Sequence, residues 1–375
     1  MAEPFKNLLN AKLVRASGQA LTQAWPAFDR KRFERLALKG LDELEMKARA
    51  MQIADALEAV LPQDFDAACA VIEAALAPPI AIDGVASPRE GEGLAGWIVW
   101  PLGEFVARRG LVDPERALRA LHALTQRLTA EWAIRPLIVA HRVLVFDTLL
   151  AWTRDPSPHV RRLASEGSRP RLPWGLQLKT LITDPSPTLP ILAALQDDPS
   201  EYVRRSVANH LNDIAKDHPQ LVVDWVQRHL PGASAERRAL LSHASRTLIK
   251  QGHAGMLALW GAGAAFDGRC TLTASPRRIG VGQSVQLAML LRSDSKAAQT
   301  LLIDYAVHHV KARGGTSAKV FKGWKLTLGP GESRTLTRQH SFRAVTTRRY
   351  HAGPHRFAVA INGAVAASAS VHLSL

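Results

Sequence analysis

The chain has 375 residues, 47% hydrophobic and 22% charged, which excludes a disordered polypeptide and leaves room for two or three domains with their own cores. Two cysteines, Cys69 and Cys270, exclude a disulfide framework, and neither an apolar leader nor an uncharged run of membrane-spanning length is visible, so a cytoplasmic protein is expected. The net charge of +15 is unevenly spread: 268–375 holds 16 Lys+Arg against 3 acids, leaving 32 against 30 upstream. The C-terminal part is therefore expected to face a polyanion, the alternative being a merely soluble basic domain.

Residues 1–266 read as helical. Leu41, Leu44, Ala48, Met51, Ile53, Ala54, Leu57, Val60 and Leu61 follow the helical period until Pro62 stops them, and Pro78-Pro79 ends the next helix. Residues 83–93 are a loop by composition, and helical patterning resumes over 102–109 and 115–128. A repeat then emerges. Asp155-Pro-Ser-Pro-His-Val-Arg-Arg and Asp198-Pro-Ser-Glu-Tyr-Val-Arg-Arg agree at six of eight positions, 43 residues apart, and Asp113-Pro114-Glu115 precedes the first by 42. That period with two helices per unit predicts a HEAT-like helical-repeat solenoid, in which Asp caps each helix, Pro opens it and a valine begins the buried stripe. Such units stack because none buries its apolar face alone.

From about 267 the pattern changes to short alternating runs: 269–274, 284–291, 301–310, 325–328, 355–361 and 368–375, punctuated by Gly and Pro. Roughly seven strands in the last hundred or so residues predict an all-β, immunoglobulin-like sandwich, with Tyr350-His-Ala-Gly-Pro-His-Arg-Phe placed like a tyrosine corner. The chain is thus expected to be mainly α, with a helical-repeat domain over 1–266 and a basic sandwich over 267–375.

The repeat also suggests a working face. Arg205, Asn209 and Asp213 fall at i, i+4 and i+8 along one polar line, and the 43-residue shift sets Arg162 opposite Arg205 and Glu166 opposite Asn209. Cations there could hold phosphates while Glu166 and Asp213 point at a substrate; a solvated face with i,i+4 ion pairs is the bland alternative. The segment from Ser165 to Trp174 breaks the helical pattern at Gly167, Pro170 and Pro173 and supplies Arg169, Arg171 and an aromatic tip. Guanidinium and indole together suit phosphate and stacked base, unless Trp174 simply packs inward. Upstream, Glu131, Trp132 and Arg135 cluster at a helix end, either as part of a site or as a buried Glu131–Arg135 pair; the two are compatible, since a paired carboxylate stays ionised. No Cys/His spacing suits zinc and no Gly-rich phosphate loop precedes a helix, so neither metal nor nucleotide cofactor is expected.

With these residues laid out, the sequence resembles the AlkC branch of the HEAT-like-repeat alkylpurine DNA glycosylases. The resemblance rests on Pro4-Phe-Lys-Asn-Leu-Leu-Asn, Leu41-Asp-Glu-Leu-Glu-Met-Lys-Ala-Arg, Leu128-Thr-Ala-Glu-Trp-Ala-Ile-Arg-Pro-Leu, the run from His159 to Trp174, and that from Ser206 to Pro219. It implies excision of 3-methyladenine and 3-methylcytosine from duplex DNA without full base flipping, by a monomer, with some members carrying a C-terminal immunoglobulin-like domain. Methylation at N3 leaves the base cationic and its glycosidic bond weakened, so what remains is to steady an oxocarbenium-like sugar and position water. Glu131 and Glu166 are expected near the lesion, with Asp213 assisting and Trp174 against the opened stack. Trp132, Arg135, Arg162, Arg169, Arg171, Arg205 and Asn209 are expected to contact DNA, with Lys319, Lys322, Arg348 and Arg349 adding phosphate contacts from the sandwich. No lysine stands out as a Schiff-base nucleophile, so a monofunctional enzyme is expected. The rivals are a non-enzymatic repeat scaffold and a lesion-binding DNA protein without glycosylase activity.

Overall fold

The structure is a computed structural model that describes residues 4–80, 92–345 and 348–375. The loop expected over 83–93 lies, up to residue 91, outside the described residues. Packing groups the chain into two compact units, one of Met1–Asp217 with Ala233–Ala244 and one of His218–Gly232 with Ser245–Leu375. The second unit takes in the short helices Arg246–Lys250 and Ala254–Leu259 as well as all the strands.

In the first unit the helices Pro114–Thr125, Pro158–Gly167, Glu201–Ile214 and Ala235–Ala244 pack one against the next in sequence order. Their buried stripes hold at helical spacing: Val160, Leu163 and Ala164 in one, Val203, Val207, Leu211 and Ile214 in another. Gly167 is needed for the closeness of the stack, since a Cβ there would sit 2.6 Å from Ile134 Cγ2. This is the expected helical-repeat fold.

One detail of the repeat differs from expectation. Asp113 caps its helix directly, accepting from Arg116 N–H at 3.0 Å with Pro114 at the first helical position. Asp155 and Asp198 do not cap. Each accepts from the N–H two residues on, Ser157 and Ser200, both at 2.8 Å, and the helices begin only at Pro158 and Glu201. Closing that turn with Oδ1 leaves Oδ2 free for the preceding repeat. Asp155 Oδ2 meets His122 Nε2 at 2.8 Å, and Asp198 takes Arg161 Nε at 2.6 Å and Nη2 at 3.0 Å. Arg161 Nη1 also donates to the carbonyls of Asp155 and Pro156, and Arg204 repeats this 43 residues later on Asp198 and Pro199. The sequence repeat is therefore also a hydrogen-bond repeat.

In the second unit the strands are β1 (Gly268–Ser275), β2 (Arg278–Gly280), β3 (Ser284–Ser293), β4 (Gln299–Val310), β5 (Thr316–Leu328), β6 (Ser333–Ser341), β7 (Gly353–Ile361) and β8 (Ala364–Ser374). They form a three-stranded sheet, β1-β3-β6, and a five-stranded sheet, β2-β8-β7-β4-β5, antiparallel except for β2 beside β8. Period-two alternation fills the core: Val285, Leu287, Met289 and Leu291 from β3 meet Leu301, Ile303, Tyr305 and Val307 from β4. The sandwich is the immunoglobulin-like architecture expected, and Tyr350 packs against Phe342 and His309. The sequence reading missed β2 and β6 and started β5 too late. The more shielded positions of β6 are Arg334, Leu336, Arg338 and His340, so apolar alternation is hidden by long polar side chains whose stems cover the core. Among the described residues no helix is long and apolar enough to cross a membrane.

The Arg161 clamp gives a stability prediction. Arg161→Ala leaves the buried Asp198 carboxylate without its fork and frees two carbonyls, and should cost about 3 kcal/mol, read as a lower urea midpoint of the helical transition. Arg161→Lys should recover only part, because an ammonium cannot reproduce the bidentate contact.

Candidate active site

The helix 158–167 ends at Gly167, and the chain then crosses 168–178 in a compact irregular loop. Arg135, fully buried on the helix Ile134–Ala140, holds that loop from inside. Its Nη1 donates to the carbonyls of Gly167 and Arg169, both at 2.8 Å, its Nε to Leu176 at 2.5 Å and its Nη2 to Pro170 at 3.4 Å. Burial pushes its pKa down to about 10, with the charge of Arg169 adding to the effect. Arg135 is thus buried away from the surface where a DNA contact was expected, and no ion pair joins it to Glu131; its Nε, Nη1 and Nη2 donate to four backbone oxygens.

The loop in turn places Arg169 between two carboxylates. Its Nη1 lies 2.5 Å from Glu166 Oε1, and its Nη2 and Nε lie 2.7 and 2.8 Å from Asp213 Oδ2. Arg162, one turn before Glu166, bridges in the other direction, 3.1 Å from Glu131 Oε2 and 3.6 Å from Glu166 Oε1. Lys216 closes the far end, 2.7 Å from Asp213 Oδ1. Charges therefore alternate from Glu131 through Arg162, Glu166, Arg169 and Asp213 to Lys216, across three successive repeats. Glu131, Glu166 and Asp213 are 8%, 4% and 2% exposed, so each carboxyl is held where water barely reaches.

Hydroxyls and rings finish the arrangement. Thr129 donates to Glu131 at 2.7 Å and Ser206 to Glu166 at 2.6 Å, while the Arg162 guanidinium lies over the Tyr202 ring at 4.8 Å. His210 Nδ1 donates to the carbonyl of Ser165 at 2.9 Å, and its burial pushes its pKa down to about 3, so it is a neutral fastener between helices. Burial lifts the Glu131 carboxyl above the usual carboxylate range; Arg162 pulls it back and the neighbouring charge of Glu166 lifts it further. Burial works against the charge on Arg162, but Glu166, Tyr202 and Glu131 outweigh it and hold the guanidinium above its ordinary value.

Beside the carboxylates stands an aromatic cluster. Trp100 stacks on Trp132 at 4.4 Å and lies parallel to Trp174 at 6.2 Å, and Phe5 packs edge-on to Trp97 and tilted against Trp174. Trp132 Nε1 donates to Pro173 O at 3.2 Å. Trp174 does not pack inward. It is 57% exposed with φ +63, a left-handed backbone uncommon for a bulky residue and one that turns the indole outward.

The structure thus gathers Glu131, Arg162, Glu166, Arg169 and Asp213 and keeps Trp132 and Trp174 beside the same loop. It separates the rest. Arg171 forks onto Asp217, Arg205 is exposed and pairs with Glu201, and Asn209 meets His243. The line of Arg205, Asn209 and Asp213 drifts from solvent to core because four residues overshoot one helical turn. Arg162 and Arg169, expected against the DNA backbone, direct their donors at carboxylates in this structure. Lys319 shares the face of Phe321 on β5 while Lys322 shares that of Val320, so the two side chains leave the strand on opposite faces. Arg348 is half-buried and Arg349 exposed. The sequence reading missed Phe5, Trp97, Trp100, Thr129, Tyr202, Ser206 and Lys216. Thr129, two residues before Glu131, Tyr202 and Ser206, either side of Arg205, and Lys216, three after Asp213, lay close to marked residues; Phe5, Trp97 and Trp100 did not. Among the described residues no group of three His, Cys, Asp or Glu is placed to hold a metal.

Comparison with known proteins bears on this geometry. A family model described as DNA alkylation repair enzyme matches residues 128–248, and one described as the C-terminal Ig-like domain of uncharacterised protein YhaZ matches 269–375. The chain is 38% identical over 362 residues to "Uncharacterized protein YhaZ" of Bacillus subtilis (strain 168), covering 96% of each. It superposes with a TM-score of 0.89 and 35% identity, over 100% of both chains, on the Pseudomonas fluorescens alkylpurine DNA glycosylase AlkC bound to DNA containing an abasic site analog.

The Glu131 environment sets a pH signature. Because the folded pKa is raised, the folded state keeps this proton to higher pH than the unfolded chain does, and stability falls as pH rises from the ordinary carboxylate range through the raised value. Glu131→Gln has no such loss. Its urea midpoint should match the parent near pH 4 and exceed it at pH 8; a difference that shrinks with rising pH contradicts the assignment.

Proposed function

We propose an activity from one premise: this chain belongs to the DNA alkylation repair enzyme family, in the branch typified by AlkC. It is an enzyme that acts on DNA, a monofunctional glycosylase that excises cationic N3-methylated bases, 3-methyladenine and 3-methylcytosine, from duplex DNA without full base flipping. The observation that carries this reading is the pair Glu131 and Glu166, buried and held side by side through one shared guanidinium.

The chemistry asks little of a general acid. A base already positive at N3 departs as a neutral heterocycle, so the bond to C1′ breaks without protonation and positive charge grows on the sugar. Preformed negative charge in a site with little water stabilises that charge more than bulk solvent can. Glu131, whose proton affinity is raised by burial, suits the second task of taking a proton from the attacking water. Glu166 is fixed by Ser206 and Arg169 and supplies a stationary field, and Asp213 anchors Arg169 behind it. Trp132 and Trp174 offer faces for the lesion nucleotide and its neighbour, whose positive ring favours contact with indole.

Lys216, the lysine in this network, is held by Asp213 at 2.7 Å, which supports an intact abasic site as product. The basic immunoglobulin-like unit adds phosphate contacts through cations such as Lys322, Arg348 and Arg349, giving the duplex a second grip.

Incubation with methylated duplex DNA tests the activity. Released 3-methyladenine and an unnicked abasic strand are expected, with Glu131→Gln and Glu166→Gln each slowing release by about a hundredfold or more. Nicking without added base would indicate a lyase step, and absence of release would return the chain to the scaffold or lesion-binding reading. For the second grip, the triple change of Lys322, Arg348 and Arg349 to Gln should flatten the dependence of log K on log salt by about 0.9 for each phosphate that is no longer neutralised. An unchanged slope removes these residues from the interface.

A further inference from the structure

Arg162 occupies the place a cationic substrate needs. Its planar, delocalised charge lies against the Tyr202 ring at 4.8 Å and between Glu131 at 3.1 Å and Glu166 at 3.6 Å. An aromatic face and two carboxylates are also what would stabilise a methylated base and the sugar it leaves. The protein therefore carries, within its own repeat, a stand-in for the species it is proposed to act on.

We propose that Arg162 is a resident counter-ion that a cationic nucleotide displaces: it bridges Glu131 and Glu166 in the free protein, leaves them only when an incoming positive charge takes its place, and so tempers the preference of these carboxylates for cations. The inference rests on the glycosylase reading and adds a specificity-determining residue to it. The argument is one of charge balance. Moving Arg162 away leaves Glu131 without a cation and Glu166 with Arg169 alone, a state that is costly in a poorly hydrated site unless another cation arrives. An undamaged nucleotide brings only its phosphate. That phosphate can attract the guanidinium, but nothing then replaces it between the carboxylates. A methylated nucleotide brings both charges of the exchange, phosphate for Arg162 and cation for Glu131 and Glu166. Discrimination against normal DNA then comes from the carboxylates, without reading base edges, and Arg162 sets how large it is.

Arg169 does not serve the same purpose. It is fixed at both ends by Glu166 and Asp213, and its backbone belongs to the loop held by Arg135, whereas Arg162 is tethered at the longer distance to Glu166 and has a ring to slide along. Of the two guanidiniums, Arg162 is the one that can leave while the carboxylates stay.

The experiment compares duplexes carrying a cationic pyrrolidine abasic analogue with duplexes carrying the neutral tetrahydrofuran analogue, at pH 8. In the parent protein the preference for the cation is modest, because the resident charge competes. Arg162→Gln should raise the ratio of the two dissociation constants by about tenfold or more, and Arg162→Lys, which restores the charge, should bring it back toward the parent. Tyr202→Leu, which only removes the supporting ring, should shift the ratio the same way by less, and serves if the Gln variant folds poorly. Replacing the lesion phosphate by a neutral methylphosphonate should weaken the cationic analogue more than the neutral one in the parent, and both equally in Arg162→Gln. A ratio untouched by Arg162→Gln, or a methylphosphonate penalty equal for both analogues in the parent, overturns the exchange. Because base release by the parent is scored separately, a protein that excises 3-methyladenine yet shows no change in ratio loses this inference alone, whereas one that releases nothing and binds both analogues alike loses the glycosylase reading itself.

Discussion

An ionised carboxylate can live inside a stack of helices only beside a cation, and that constraint organises the first unit. Glu131, Glu166 and Asp213 stand in surroundings where isolated charges would cost several kcal/mol each. Arg162, Arg169 and Lys216 answer them one for one, and the two arginines are shared between neighbours rather than owned by one partner. Sharing fixes positions. Glu131 precedes one helix, Arg162 and Glu166 sit on a second, Arg169 in the loop after it and Asp213 on a third, so the chain of ion pairs closes only when all of these are in register. The fold and the reactive arrangement are therefore specified by the same set of ions.

The arginines divide by what they hold. Arg161 and Arg204 grip the carbonyls that open their own repeats, Arg135 grips the loop, and Arg162 and Arg169 grip carboxylates. Six residues of near-identical sequence around Arg161 and Arg204 thus lead to one repeated structural contact and, at the adjacent position, to opposite outcomes: Arg162 faces the network while Arg205 lies in solvent beside Glu201. The difference lies in the partner. The repeat before Arg162 offers Glu131, whereas Arg205 pairs with Glu201 on its own helix.

How much of this was legible in the sequence follows the range of each interaction. Local and periodic features were readable: the helical stripe through Val203, Val207 and Leu211, the repeat at Asp155 and Asp198, the alternation of β3 and β4. Glu131, Glu166 and Asp213 were also found, as acids amid cations. The pairings between repeats were not, because they join residues tens of positions apart, as with Arg169 and Asp213 or Ser206 and Glu166. The same blindness turned Arg135 into a DNA contact when its donors face four carbonyls. Trp174 was legible as an aromatic tip, but its left-handed backbone and its neighbours Phe5 and Trp100 come from far along the chain.

The grip of Arg135 on the loop has a consequence for how such a protein can change. Every oxygen it binds belongs to the main chain, which is the same whatever side chain a position carries. Residues such as Arg171 or Leu176 can be exchanged while the course of the loop is kept. A lineage could therefore revise the outward side chains of this loop by single replacements without first rebuilding the scaffold that presents them.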